Sequence, residues 1–405
     1  TYEDDGIQYY FIDNQYYFKR SGSYGFYDDG ERFAFFSRAV LEVLPHLYEK
    51  PDIIHCHDWQ TGPISVLLKA HYKNHPFYQS IKTVFTIHNL HYQGVYPKSV
   101  LHDLLDLSEL YFHMDGLEFF GNVSYLKAGL VYANRITTVS PTYANEIQMP
   151  YFGEHLDGLL RKRQHELVGI VNGIDVDQYN PEADESVYVP FHNYEGKMEN
   201  KVQLQEALNL PVDRDIPVIA MITRLVEQKG IDLVLRVIHE MMKMNVQLVI
   251  LGTGDAQYEE AFKTLAAEYP QQISIHLYFN ESMARKIYAG SDLFLMPSKF
   301  EPCGIGQLLA LRYGSLPLVR ETGGLNDTIE PYNEFTNSGY GFSFQNYNAH
   351  DMLYTIERAI WFYRFQPNTW KTLSEKAMTL NFSWDTSAKM YKQIYEELHS
   401  HSFIS

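Results

Sequence analysis

From residue 33 onward the apolar positions follow two rhythms that alternate along the chain. A helical stretch runs to about Tyr48, the run Asp52-Ile53-Ile54-His55-Cys56-His57 follows, and a further helix is expected after Gly62. Thr83–Ile87, Arg135–Val139 and Leu167–Val171 are strand candidates, each short, rich in β-branched residues and closed by a polar or glycine-bearing loop. Strands of a parallel sheet that is covered on both faces read this way. Residues 180–215, with Pro181, Pro190, Pro211 and many charges around one helical segment near 200–208, read as a linker. The alternation then restarts with Val218–Ile222, a helix from Gly230, Gln247–Leu251, a helix from about Gln257, Ile273–Leu277, Leu293–Met296 and Leu316–Val319. Trp384–Leu398 carries Ala388, Tyr391, Ile394, Tyr395 and Leu398 at helical intervals and reads as a packing helix, whereas Tyr2–Tyr27 reads as short aromatic strands and turns.

Two such series predict an α/β chain with two doubly wound, Rossmann-like domains facing a cleft: residues 1–195, residues 196–383, and a last helix over 384–405 that packs back toward the first domain. A length of 405 residues agrees, at roughly 100 to 200 residues per domain. No apolar run approaches the roughly 18 residues of a membrane span, so no membrane anchor is expected. A net charge of −17 excludes a broad nucleic-acid surface, because phosphate backbones are held by many cations together. Cys56 and Cys303 have no partner spacing for a disulfide framework or a zinc site, which fits a reducing cytoplasm. Aromatic residues reach 15%, with 32 tyrosines, a composition that suits either core filling or flat faces against sugar rings.

Candidate chemistry gathers where strands end, since a rigid sheet holds the loops and the loops hold the site. The first domain offers His57-Asp58-Trp59-Gln60, His88-Asn89 and Asn172-Gly173-Ile174-Asp175. In the second, Thr223-Arg224-Leu225-Val226-Glu227-Gln228-Lys229-Gly230 joins a strand to a helix and brings two cations to the helix's positive end, a combination suited to a diphosphate. Gly252-Thr253-Gly254-Asp255 lacks the full dinucleotide fingerprint and is read first as structural. Ser298-Lys299-Phe300-Glu301-Pro302-Cys303-Gly304-Ile305-Gly306-Gln307 combines a carboxylate with glycines that let backbone amides approach a ligand, and Glu321-Thr322-Gly323-Gly324-Leu325 repeats that chemistry.

Together these segments resemble the glycogen and starch synthase family of glucosyltransferases, whose architecture is called GT-B. The resemblance runs from about residue 30 to the end. It is carried by His57-Asp58-Trp59, Phe85-Thr86-Ile87-His88-Asn89-Leu90 with Tyr92-Gln93-Gly94, Leu126-Lys127-Ala128-Gly129, Val139-Ser140-Pro141-Thr142-Tyr143, Asn172-Gly173-Ile174-Asp175, Arg224 with Gln228-Lys229-Gly230, and Phe300-Glu301-Pro302-Cys303-Gly304. It implies transfer of glucose from ADP-glucose, or UDP-glucose, to the non-reducing end of an α-1,4-glucan with retention of configuration and without a metal or other cofactor. By that resemblance Arg224 and Lys229 hold the diphosphate, and Glu301 binds glucose hydroxyls. Cys303, Gly304, Ile305, Gly306, Thr322 and Gly323 line the sugar and phosphate. Asp58, His88, Asn89 and Asn172 position glucose and acceptor, with His88 near the anomeric centre. Phe279 stands where the family often stacks an aromatic on adenine, and a core aromatic is the alternative. The implied partners are a nucleotide sugar and a glucan; oligomeric state is not encoded.

Two features depart from the family pattern. Leu309 stands eight positions after Glu301, where many retaining GT-B enzymes have a second glutamate. Nothing in residues 1–30 matches the strand, Lys-Thr-Gly-Gly-Leu loop and helix with which the family begins, so the chain reads as N-terminally truncated. The alternatives are a related transferase with a sugar-phosphate acceptor and a glucan-binding remnant without catalysis. Removing a cation from a leaving-group site weakens charge stabilisation. Glucan elongation by residues 1–405 is therefore expected to fall well below that of the longer parent, measured as incorporation of labelled glucose into primer.

Overall fold

The computed structural model describes residues 1–400. Its contacts divide the chain into two compact units, the first made of Thr1–Val139, Ala144–Ile170 and the stretch beginning at Lys389, the second of Ser140–Tyr143 and Val171–Ala388.

The first unit is built on a four-stranded parallel sheet in sequence order, β1 (Ile53–His57), β2 (Lys82–Ile87), β3 (Arg135–Thr138) and β4 (Leu167–Gly169). Val84, Phe85, Ile87 and Ile136 are fully buried, as the uninterrupted apolar runs require. Helices α1 (Asp29–Val43), α2 (Gly62–Leu67) and α3 (Tyr125–Tyr132) supply covering layers. The opening forms a hairpin of Tyr2–Asp4 with Ile7–Tyr9 and one turn of helix at Gln15–Phe18. Ile394 and Leu398 of the last helix join Val84 and Ile170 in one apolar cluster, flanked by Tyr391 and Tyr395.

The second unit holds six parallel strands: β5 (Val218–Ile222), β6 (Gln247–Leu251), β7 (Ile273–His276), β8 (Leu293–Met296), β9 (Leu316–Arg320) and β10 (Phe342–Phe344). Their order across the sheet is β7-β6-β5-β8-β9-β10. Order reverses between β5 and β8, and ligands of such sheets sit outside the carboxyl ends of the strands there. Side chains of a strand point alternately to opposite faces. Ile219, Met221, Leu248 and Ile250 accordingly enter one core, and Val218, Ala220, Val249 and Leu251 enter the other.

Residues 171–215 are a correction to the expected boundary and linker. Ile174, Val187 and Phe191 are core residues of the second unit, so the first domain ends near Ile170 and not at residue 195. Within the expected linker lies α4 (Tyr194–Ala207), whose Lys197 and Lys201 are buried. Lys201 Nζ lies 2.8 Å from the Asp292 carboxylate, both side chains being inaccessible to solvent. Lys197 Nζ donates to the carbonyls of Tyr288, Ala289 and Tyr313 at 2.8–3.1 Å, and burial pushes its ammonium down to about 7. A helix studded with charges reads as solvated until those distant acceptors are brought to it. The strand β10 and the helices Ala349–Phe365 and Pro367–Thr379 complete the unit without having been expected; a three-residue strand leaves too short a pattern to read.

Asp292 also accepts the amide of Val218 at 2.8 Å, tying the start of β5 to the buried pair. Removing one partner of a buried ion pair leaves an uncompensated charge. Asp292→Ala is expected to lower the unfolding free energy by about 3 to 5 kcal/mol in urea titrations, and the double variant Lys201→Met/Asp292→Leu by less.

Candidate functional site

In the second unit, the loops after β5, β8 and β9 are laid against one another by backbone contacts. Lys299 N–H donates to the Gln228 carbonyl at 2.9 Å, and Gln228 Nε2 donates to the Phe300 carbonyl at 3.3 Å. Gly230 has φ of +74°, and a Cβ there would lie 2.0 Å from the Pro297 carbonyl oxygen, so only glycine permits this approach. Gly323, with φ of +46°, comes equally close to the backbone of Glu301, where a Cβ would lie 1.8 Å from the carbonyl oxygen. Gln307 Nε2 clamps the turn by donating to the carbonyls of Cys303 and Gly304 and to Thr328 Oγ1.

Within this frame Lys229 Nζ sits 2.8 Å from each carboxylate oxygen of Glu301, and Ser298 Oγ donates to the same carboxylate at 2.8 Å. Glu301 is 5% exposed. The cation is thus held in place by a buried anion, beside the reversal of strand order. Arg224 lies on the same loop as Lys229 and is exposed. Cys303 is buried, and burial pushes its thiol up to about 12, so it is no nucleophile at neutral pH. The backbone amide of Asn172 hydrogen-bonds to that thiol, which places Asn172 in the second unit and not in the first. Thr322 is buried at the start of the short helix Gly323–Thr328, and Gly304, Ile305 and Gly306 follow Cys303, with Ile305 exposed. Phe279, just beyond β7, is 72% exposed, which removes the core alternative. The Ser140–Tyr143 segment belongs here too: Ser140 Oγ donates to the Pro302 carbonyl at 2.6 Å, and Thr142 binds Asp327 through its amide and hydroxyl. Leu225 N–H donates to the Thr253 carbonyl at 2.8 Å, in keeping with a structural part for the Gly252–Asp255 turn.

The first unit brings Asp58, His88 and Asn89 together at the carboxyl ends of β1 and β2. Asp58 has φ of +59° and ψ of −177°, a conformation rare for a residue with a side chain. It is fixed by its N–H on the Thr86 carbonyl and by its carboxylate, which accepts the amide of His88 at 2.8 Å and that of Asn89. Burial holds the Asp58 carboxyl above its ordinary range, against the pull of those amides. Beside it an open pocket of ≈ 410 Å³ is lined by Trp59, His91, Tyr92, Gln93, Phe119 and Glu154 among others.

Sequence reasoning passed over His55 and named His57 only within the candidate loop His57-Asp58-Trp59-Gln60, with no role of its own. Their rings stack with centroids 4.3 Å apart, and His57 Nδ1 lies 2.9 Å from His88 Nε2. The only signal was their place, two residues apart on one face of a strand that ends at the site. Burial, then the neighbouring histidines, pushes His55 down to about 3; partial burial and His88 push His57, which keeps contact with solvent, down to about 4.

Residues 1–162 match the family profile of the starch synthase catalytic domain, beginning ahead of residue 30, where the resemblance became legible, and residues 205–361 match that of glycosyl transferases group 1. The glycogen synthase of Geobacillus thermodenitrificans (strain NG80-2) is 57% identical over 396 residues, covering 97% of this chain and 81% of that protein. The glycogen synthase of Clostridium acetobutylicum is 55% identical over 397 residues, covering 97% and 83%. Among solved structures, the catalytic domain of starch synthase IV from Arabidopsis thaliana, bound to ADP and acarbose, superposes with a TM-score of 0.88 at 36% identity over 95% of this chain and 80% of that one. Sucrose-phosphate synthase from Thermosynechococcus elongatus, at 17% identity and a TM-score of 0.59, shares the fold alone.

The histidine values set a sign for pH dependence. An unfolded imidazole titrates near about 6.5, so between that pH and the lower folded values the unfolded chain binds more protons than the folded one. The stabilisation is complete above about pH 6.5 and is lost as pH falls through about 4 toward about 3. Scanning calorimetry is expected to show the melting temperature falling through this window, with a shallower fall in His55→Gln.

Proposed function

The chain belongs to the glycogen and starch synthase family and is a GT-B glycosyltransferase of glucosyl transfer in glycogen synthesis, and from this we propose that it moves glucose from ADP-glucose to the non-reducing end of an α-1,4-glucan with retention. The observation that carries the proposal is the lysine of the second unit held between both oxygens of a buried glutamate, at the point where strand order reverses. A departing nucleoside diphosphate gathers negative charge, and a cation already in place stabilises it without reorganisation.

Arg224 and Lys229 take the diphosphate. Glu301, freed in part when Lys229 turns to phosphate, accepts hydroxyls of the glucose. The backbone of Cys303, Gly304, Ile305 and Gly306, with Thr322 and Gly323, borders sugar and phosphate, and the exposed ring of Phe279 offers a face to adenine. Asn172 contributes from the same unit. In the first unit Asp58, His88 and Asn89 orient glucose and acceptor, and the aromatic pocket of Trp59 and Tyr92 receives glucan rings. The β-phosphate oxygen takes the proton of the attacking hydroxyl as the bond from C1 to the diphosphate breaks on the same face. Adenine as the base is supported by the 36% identical starch synthase solved with ADP. Two buried, unpaired thiols, Cys56 and Cys303, fit a reducing cytoplasm. Among the described residues no helix is long and apolar enough to cross a membrane.

Hydrogen bonds to charged groups contribute about 1.5 to 3 kcal/mol each. Arg224→Ala and Lys229→Ala are each expected to weaken ADP binding by roughly 10- to 100-fold in calorimetric titrations while glucan binding persists. ADP affinity unchanged in both variants would sink the assignment of these cations to the donor.

A further inference from the structure

His88 was assigned to the reaction, yet a neutral imidazole has two tautomers that present opposite hydrogen-bonding patterns, and nothing said so far selects one. The first unit contains the selecting element. His57 Nδ1 lies 2.9 Å from His88 Nε2, a distance that requires one ring to donate and the other to accept. The two cannot both be cations across that contact, and burial pushes His57 down to about 4, which leaves it neutral near pH 7.

The His57 ring is itself held. It stacks on His55 with an interplanar angle of 22°. His55 has both nitrogens engaged, Nδ1 with the Tyr395 hydroxyl at 2.6 Å and Nε2 with Thr86 Oγ1 at 2.6 Å. Thr86 is in turn fixed by Thr137 Oγ1 on the neighbouring strand, 2.5 Å away. The backbone of His57 is pinned separately, its N–H donating to Thr61 Oγ1 at 2.7 Å and its carbonyl accepting from the same hydroxyl at 2.8 Å. A chain of contacts therefore runs from the last helix through two stacked rings to His88.

We propose that His57 is a positioning residue for His88, accepting a hydrogen bond from His88 Nε2–H at its own Nδ1 and so holding His88 in the Nε2–H tautomer with Nδ1 unprotonated. His55, braced by Tyr395 and Thr86, keeps the accepting ring aligned. The Nε2–H form is the more stable tautomer of a free imidazole, so both rings keep their preferred protonation in this arrangement. The proposal rests on the assignment of His88 to glucosyl transfer for its functional meaning, but not for its structural content.

Two substitutions separate the acceptor from the ring. His57→Phe keeps a flat ring against His55 and removes the acceptor; His57→Asn removes the ring and leaves an amide oxygen near the place of Nδ1. In ¹⁵N-histidine-labelled chain, the His88 ring nitrogens are expected to show one tautomer, Nε2–H, in the parent and in His57→Asn, and an averaged pattern in His57→Phe. In glucan elongation, the Phe variant is expected to lose roughly tenfold or more in kcat with the donor KM little changed, and the Asn variant to recover most of it. His88 ring shifts identical in parent and Phe variant overturn the inference and leave the donor assignment untouched. Shifts that change as expected while kcat does not uphold the hydrogen bond and instead remove His88 from the reaction. A matched melting temperature for the Phe variant excludes misfolding as the source of either change.

Discussion

The ion pair of Lys229 with Glu301 is the constraint around which the second unit is organised. A carboxylate this deeply buried is tolerable only with its charge compensated and its lone pairs occupied, and Lys229 and Ser298 supply both. To bring the three side chains together, the loops after β5 and β8 must approach to backbone contact, with the loop after β9 packed against them, and glycines at 230 and 323 are where side chains had to be given up. Recognition of an anionic donor by so acidic a chain then needs no basic surface. It needs a few cations whose positions are settled before the ligand arrives.

The first unit solves a related problem with neutral groups. Asp58 is held in a rare backbone conformation by the amides of the next strand's loop, and that same loop carries His88 and Asn89. Strain at one residue and alignment of its neighbours are two sides of one set of hydrogen bonds, which is how a strand end can store a geometry that a free loop would not keep. Both units therefore rely on the same device, the carboxyl edge of a parallel sheet, with ionic pairing in one and backbone amides in the other.

Much of this was legible beforehand, and the reasons for the rest are physical. Parallel strands buried on both faces announce themselves as apolar runs, and the loops after them carried nearly all of the candidate residues, so fold class and a candidate site could be read together. What the chain order concealed was pairing across distance. Lys229 and Glu301 are 72 positions apart, and the separate roles expected of them, phosphate cation and sugar carboxylate, gave no hint that each is the other's partner in the structure. Lys197 and Lys201 fell within a stretch read as a linker because their acceptors, carbonyls at 288, 289 and 313 and the carboxylate of Asp292, arrive from other elements. Asn172 was counted with the first domain because it follows that domain's last strand, although its amide rests on Cys303. Phe279 was the reverse case, a position left open between core and ligand whose core alternative exposure alone removes.

The Tyr395 hydroxyl bonds a histidine made 340 positions earlier. At ~5–20 residues per second, ribosomes release the strand bearing His55 roughly 20 to 70 s before that tyrosine is synthesised. For that interval the nascent polypeptide carries a sheet that is free to form while the imidazole stack at its edge lacks its brace. Translation thus separates folding from maturation in time: the first strands gain their shape early, and the aligned ring pair is finished only once Tyr395 has been made.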